Sequence, residues 1–245
     1  MSKAATAIIP DISPQDTMFE GDAGHYLSVG QSALQCIRVA LTMSGKTSVE
    51  RILDFGSGYG RVMRALRNEF PQARLVACDI LPDAVEFCSE AFGAEAIVCT
   101  AKPAELELTG KFDLIWVGTL FTNLDQQRLC ESLRVLESRL SPEGVIVFTT
   151  HGPFVAERIR SREYDYGIPN NRLDDLIASY DCSGFGYENY PQEVLDRLEL
   201  DRYGISLSKP AWICSQLESF RDLHLLTYTE RGWDRHQDVI ACTKT

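Results

Sequence analysis

The 245-residue sequence predicts an α/β fold: a doubly wound, mostly parallel sheet with an insertion after its fifth strand and a closing antiparallel hairpin. Three observations carry this expectation. Apolar runs of strand length alternate with amphipathic helical stretches through the first 150 residues, which implies crossover units. Those runs are apolar on successive residues, as strands covered by helices on both faces must be. The last two runs, Leu223 to Thr229 and Asp238 to Thr243, are separated only by the polar ERGWDRHQ and read as a hairpin.

Taken in order, Ser28 to Met43 reads as a helix, Arg51 to Phe55 as a strand and Gly60 to Phe70 as a helix. A strand over Arg74 to Asp79 precedes a helix over Pro82 to Phe92, which opens on proline as helices often do. A short strand at Ala96 to Cys99, a strand at Asp113 to Gly118, a helix at Asp125 to Leu140 and a fifth strand at Val145 to Thr150 complete the alternation. From His151 to Pro210 the chain turns rich in Tyr, Asp, Arg, Gly and Pro, with loop signals such as GIPNN and CSGFGYENYP. This reads as an insertion beside the ligand crevice, with too few apolar residues for an independent core. The expected organisation is one domain, with an N-terminal helical cap (1–48), a core (49–152), a substrate-side insertion (153–215) and the hairpin (216–245).

Composition narrows the function classes. With 44% hydrophobic and 24% charged residues the chain is of globular type, and a net charge of −11 without any Lys/Arg run disfavours nucleic acid as a partner. Eight cysteines without a CxxC pair suggest neither a zinc site nor a redox motif, and they read as reduced core residues of a cytoplasmic protein. The N-terminal MSKAATAIIPDISPQD lacks the long apolar stretch of a secretory signal, and no run reaches the roughly 18 apolar residues of a membrane span. No compact group of acids and histidines calls for a metal.

The first strand runs into RILDFGSGYGRV, where Asp54 is followed by Gly56, Gly58 and Gly60. In an open parallel sheet, ligands gather beyond the carboxyl ends of the strands where strand order reverses. Glycines there let a ligand approach the backbone, and the next helix start offers free N–H donors. A second acid, Asp79, ends the next strand, where a carboxylate can accept both hydroxyls of a ribose. A nicotinamide dinucleotide prefers a small residue at the third position of G-x-G-x-x-G, and Arg61 stands there instead.

The spacing D-x-G-x-G-x-G resembles motif I of the class I S-adenosylmethionine-dependent methyltransferases, whose fold is Rossmann-like. DILPDAVEF, CTAKPAELEL with GKFDLIWVGTLFTNL, and LESRLSPEGVIVFTTHG resemble that family's later motifs, in the right order over roughly residues 50 to 152. The resemblance implies S-adenosylmethionine as cofactor. It implies that Gly56, Ser57 and Gly58 accommodate the amino acid part and that Asp54 helps hold it. It also implies that Asp79 binds the ribose, Ile80 and the Ala101 backbone meet the adenine, and Gly118 and Phe121 line the methionine side. Arg61 either meets the cofactor carboxylate or pairs with a surface acid of its helix. Met18, Phe19 and Tyr26 either fold over the crevice, with Tyr26 touching the cofactor, or bury the N-terminal helix against the sheet.

DTMFEGDAGHYLSVGQSAL, YGISLSKPAW and RGWDRHQDVIAC resemble a subgroup often found beside glycosyltransferases, which implies a sugar or glycan hydroxyl as acceptor. Members tend to read FTHL where this chain reads FTNL, with Asn123 in place of His; if that imidazole serves as a base in them, the role moves or is absent here. An alcohol acceptor calls for a positioned base. His151, directly after the fifth strand, and His236, in the hairpin loop with Asp238 two residues on to orient it, are the candidates. His224, inside a strand, reads as structural. Tyr164, Tyr166, Tyr187 and Tyr190, with Trp212 and Trp233, suit carbohydrate recognition, an ordinary solvated loop or a subunit interface alike. Methylation of an amine, and a silent cofactor-binding protein without turnover, stand as alternatives.

Overall fold

The computed structural model describes residues 12–245, so most of the N-terminal stretch tested above for a secretory signal lies outside the described residues. A seven-stranded sheet has the order β3-β2-β1-β4-β5-β9-β8. Its parallel part is β1 (Arg51–Phe55), β2 (Arg74–Asp79), β3 (Glu95–Val98), β4 (Phe112–Val117) and β5 (Leu140–Thr150). The hairpin of β8 (Leu223–Trp233) and β9 (Gln237–Lys244) adds antiparallel to β5. Strand order reverses between β1 and β4, so a crevice opens there at the carboxyl ends.

Successive strand residues feed opposite layers. Ile52, Leu75 and Leu114 pack under α1 (Ala23–Ser44), α2 (Met63–Glu69) and α3 (Pro82–Phe92), whereas Leu53, Val76 and Ile115 pack under α4 (Gln126–Arg139) and α8 (Pro210–Leu217). This double covering is why the strands carry no polar face. The strands and helices fall within a few residues of their expected bounds, with two instructive differences. α1 begins five residues before Ser28, because the Asp22 carboxylate caps it by accepting the His25 N–H at 3.0 Å. β5 begins at Leu140 instead of Val145, because Pro142 to Gly144 form a bulge within the strand: Phe112 pairs with Leu140 and Leu114 with Val145.

The segment after β5 is more ordered than its composition suggested. It forms α5 (Pro153–Arg160), α6 (Asn170–Ser183), α7 (Gln192–Leu198) and a two-stranded ribbon of β6 (Phe185–Asn189) and β7 (Gly204–Ser208). Nine buried residues, among them Ile159, Leu173, Leu176 and Leu207, give it an apolar cluster of its own. β7 ties it to the sheet: Gly204 N–H donates to the Asn123 carbonyl (3.1 Å), Ser206 Oγ to the Phe121 carbonyl (2.8 Å) and Ser208 N–H to the His151 carbonyl (2.9 Å). Among the described residues no helix is long and apolar enough to cross a membrane.

Candidate functional site

Beyond the ends of β1, β2 and β4 lies a crevice of about 440 Å³, within the range of small-molecule sites. The glycine loop forms its floor. Gly60 adopts φ 77°, and a Cβ there would meet the Phe92 ring at 2.4 Å, so only glycine lets α3 pack this close. Gly58, at φ 50°, turns its N–H onto Asp79 Oδ2 at 2.8 Å, while Leu81 N–H reaches Asp79 Oδ1 at 3.1 Å. Each oxygen keeps a lone pair for a ligand. Burial raises the Asp79 carboxyl above the usual carboxylate range, and these backbone bonds pull it back.

Asp54 is 2% exposed and its Oδ2 has no hydrogen-bond partner. Burial, and then the charge of Asp79, push its carboxyl up to about 7, with Arg61 opposing. Across the parallel register from Asp54 stands Trp116, whose buried Nε1 also lacks a partner. Buried polar groups without partners are uncommon, so an unmatched acceptor and an unmatched donor beside one crevice mark a place for a polar ligand. Arg61 lines the same end, 5.6 Å above the Trp233 ring, its pKa lowered by burial. Among the described residues no ion pair joins Arg61 to an acid of its helix.

The remaining cofactor candidates divide. Gly56, Ser57, Ile80, Ala101 and Gly118 all line the crevice. Phe121 does not: it is fully buried beneath the crevice, 5.5 Å from Phe148, because the turn over Leu120–Thr122 points it inward and leaves Leu120 facing the opening. Tyr26 is also packed away. Its ring meets Phe19 edge-on at 5.7 Å and its hydroxyl donates to Asp16 Oδ2 at 2.5 Å, so Asp16 and Met18 reach the crevice instead.

The catalytic candidates lie beside the crevice without lining it. His151 and His236 meet edge-to-face at 5.7 Å, around Tyr166. His151 is 5% exposed, and burial followed by the neighbouring His236 pushes its pKa down to about 3. Asp238 is not brought to His236. Its carboxylate accepts the Tyr228 hydroxyl (2.7 Å) and the Arg231 N–H (2.8 Å), and Tyr166 Oη stands at 3.5 Å from His236 Nε2 instead. The tight turn before β9 separates the two residues that the sequence spacing put together. Asn123 bonds the Thr119 carbonyl (3.0 Å) and accepts from Tyr190 (3.2 Å), a junction between core and insertion. Trp212 packs on Phe185 in the core, and His224 sits exposed on β8 against Thr245.

Sequence reasoning missed Trp116, read only as strand core, and the crevice residues Tyr203, Arg128 and Arg202. Arg128 donates to the Arg202 carbonyl and to Asp201, both at 2.6 Å, and so fastens the α7–β7 connection over α4. A separate hollow of about 520 Å³ is lined by insertion residues alone, among them the exposed Glu163 and Tyr164.

A family model described as a methyltransferase domain matches residues 52–144. Malonyl-[acyl-carrier protein] O-methyltransferases of Acetivibrio thermocellus and Anoxybacillus flavithermus are 27% and 25% identical over 128 and 129 residues, 52% of this chain in each case. The aligned stretch is 44% and 49% of those proteins, so the chain spans about half the length of the curated relatives it matches. Among solved structures, an S-adenosylmethionine-bound amino pentose methyltransferase from Micromonospora echinaspora has a TM-score of 0.57 at 13% identity, covering 88% of this chain and 94% of that one. An S-adenosylmethionine-dependent methyltransferase from Clostridium acetobutylicum gives 0.57 at 14%, covering 92% and 93%. At such identities the likeness is one of fold. Residues 52–144 thus match a methyltransferase domain, and the sheet has the Rossmann-like fold of the S-adenosylmethionine-dependent methyltransferases it resembles.

Proposed function

We propose that the protein transfers a methyl group from S-adenosylmethionine to an oxygen of a small molecule, with a sugar or glycan hydroxyl as the acceptor class. The observation that carries the cofactor reading is the unpartnered, buried Asp54 Oδ2 beside the two-pronged Asp79. When bound, the cofactor supplies a methyl carbon activated by a sulfonium. Asp54 answers the positive charge of its amino acid part, Arg61 and the Trp116 N–H answer its carboxylate, and Asp79 takes the ribose hydroxyls. Ile80 and Ala101 flank the adenine. Met18 and Trp233 restrict water at the reacting end, where alignment in a dry site provides most of the acceleration.

O-methylation is favoured by the curated relatives, whose names specify O-methyl transfer, and the sugar by the resemblance of the terminal motifs. A base is less evident. Neither histidine lines the crevice: His151, its pKa pushed down to about 3 by burial, acts as a packing group, and His236, half-buried against Tyr166 and also made less basic by burial, is the more exposed of the two. Amine methylation remains the second reading, since a neutral amine needs no base.

Thermal unfolding with S-adenosylhomocysteine tests the cofactor reading, because a ligand of the native state raises the midpoint by mass action. The midpoint should rise with that compound and stay unchanged with NAD; a shift with NAD alone overturns the reading. Asp79→Ala should weaken S-adenosylhomocysteine binding about 100-fold, as loss of two charge-assisted hydrogen bonds implies.

A further inference from the structure

The turn after β4 is joined to β5 and β9 by a ring of three hydrogen bonds. Thr119 N–H donates to Thr149 Oγ1 (2.8 Å), the Thr149 hydroxyl donates to Gln237 Oε1 (2.6 Å), and Gln237 Nε2 donates to Thr119 Oγ1 (3.2 Å). Thr149 is 0% and Gln237 9% exposed, so water does not compete for these groups. Thr119 lines the crevice and stands at φ 65°, a conformation that β-branched residues rarely adopt.

The ring has a direction. Thr149 Oγ1 accepts an amide proton, so its own proton goes to the carboxamide oxygen of Gln237. That orients the NH₂ of Gln237 toward Thr119. Thr119 Oγ1 is thereby the acceptor of that bond, and no acceptor among the described residues takes its proton. The Thr119 carbonyl is already engaged by Thr122 and Asn123, so the hydroxyl proton is what this residue offers the crevice.

We propose that Thr119 donates a hydrogen bond to an oxygen of the methyl acceptor, and that Gln237 is the positioning residue that keeps Thr119 a donor. This rests on the methyltransferase reading and sharpens it. A fixed donor selects a lone pair: a protonated amine has none, and a neutral amine would have its one attacking lone pair occupied by the bond, whereas an oxygen keeps a second, so the acceptor belongs to the hydroxyl or carboxylate class. The strain at Thr119, which glycine would not carry, is borne at a residue that lines the crevice.

The test uses the full chain and labelled S-adenosylmethionine with two acceptor arms: free and phosphate-linked hexoses for hydroxyls, and malonyl-pantetheine for a carboxylate. Thr119→Val should lower kcat/KM for the accepted arm about tenfold or more, chiefly through KM, with S-adenosylhomocysteine affinity unchanged by calorimetry. Thr119→Ser should restore it. Gln237→Glu, which presents only acceptor oxygens, should draw the Thr119 proton inward and reproduce the loss. Thr119→Gly relieves the backbone and removes the hydroxyl, so it carries the same expectation should the valine variant fail to fold. A valine or glycine variant as active as the wild type, or one losing cofactor affinity in step with activity, overturns the proposal. Tight S-adenosylhomocysteine binding without transfer to either arm overturns the oxygen assignment alone, whereas no binding at all overturns the methyltransferase reading beneath it.

Discussion

Asp54, one residue before the end of β1, holds a carboxylate cut off from water, and that position sets both its chemistry and its pH response. With a pKa of about 7 it is half protonated at neutrality, and in the role proposed for it, facing a cationic amino acid group, it would have to be ionised. Apparent affinity for S-adenosylhomocysteine should therefore fall about tenfold between pH 8 and pH 6, the factor expected for one proton that must leave on binding. Calorimetry across that range checks it, and Asp54→Asn should bind weakly with a flat profile. Stability carries a second signature. The Asp54 pKa is raised by folding, so its contribution is present at low pH and is lost as pH rises from about 4 through 7. The His151 pKa is depressed by folding from 6.5 to about 3, so its contribution runs the other way and is lost as pH falls through that window. The two oppose each other between about pH 4 and 6.5. In Asp54→Asn the histidine is left unopposed, and urea midpoints should then drop more steeply toward acid than in the wild type; an unchanged slope removes this account.

At the scale of elements, what was legible in the sequence and what was not divides along periodicity. β1, β2 and α3 have their expected bounds because strand pattern, glycine loop and N-terminal proline agree there. The insertion's own apolar cluster is not legible in its sequence, because Gly, Pro and Tyr give it loop signals, while its apolar residues, spread thinly over three helices and a ribbon, meet only in three dimensions. Asp238 was paired with His236 on spacing alone, and no pattern in the sequence announces the turn that separates them. The glycine loop is the opposite case, where the residue type states the packing. Gly60→Ala places a methyl against Phe92 at a positive φ, and overpacking together with backbone strain should cost about 2–4 kcal/mol, or roughly 5–10 °C in midpoint. Calorimetric unfolding measures this, and a variant as stable as the wild type would show that α3 moves freely away from the loop.

On the scale of the whole molecule, the crevice is assembled from three parts of the chain that are remote in sequence. Asp16 and Met18 come from the segment before α1, the acids and glycines from the sheet ends, and Arg202 and Tyr203 from the insertion. Burial raises the Tyr203 pKa, and Tyr190 and then the Asp79 charge raise it further, so the insertion's phenol feels the carboxylate at the end of β2. The Arg128 clasp fixes this arrangement from the far side, because its guanidinium holds both a carbonyl and a carboxylate of the same connection. A ligand bridging these parts should stiffen all of them at once, since each loses freedom only when the others are in place. Amide hydrogen exchange with and without S-adenosylhomocysteine should show slowed exchange in the glycine loop, at residues 15–18 and at residues 198–203 together. Arg128→Ala should keep the first protection and lose the last, with affinity falling less than for Asp79→Ala. Protection confined to the β1 and β2 loops would mean that the insertion walls the crevice without taking part in cofactor binding, leaving its arginines and tyrosine to the acceptor alone.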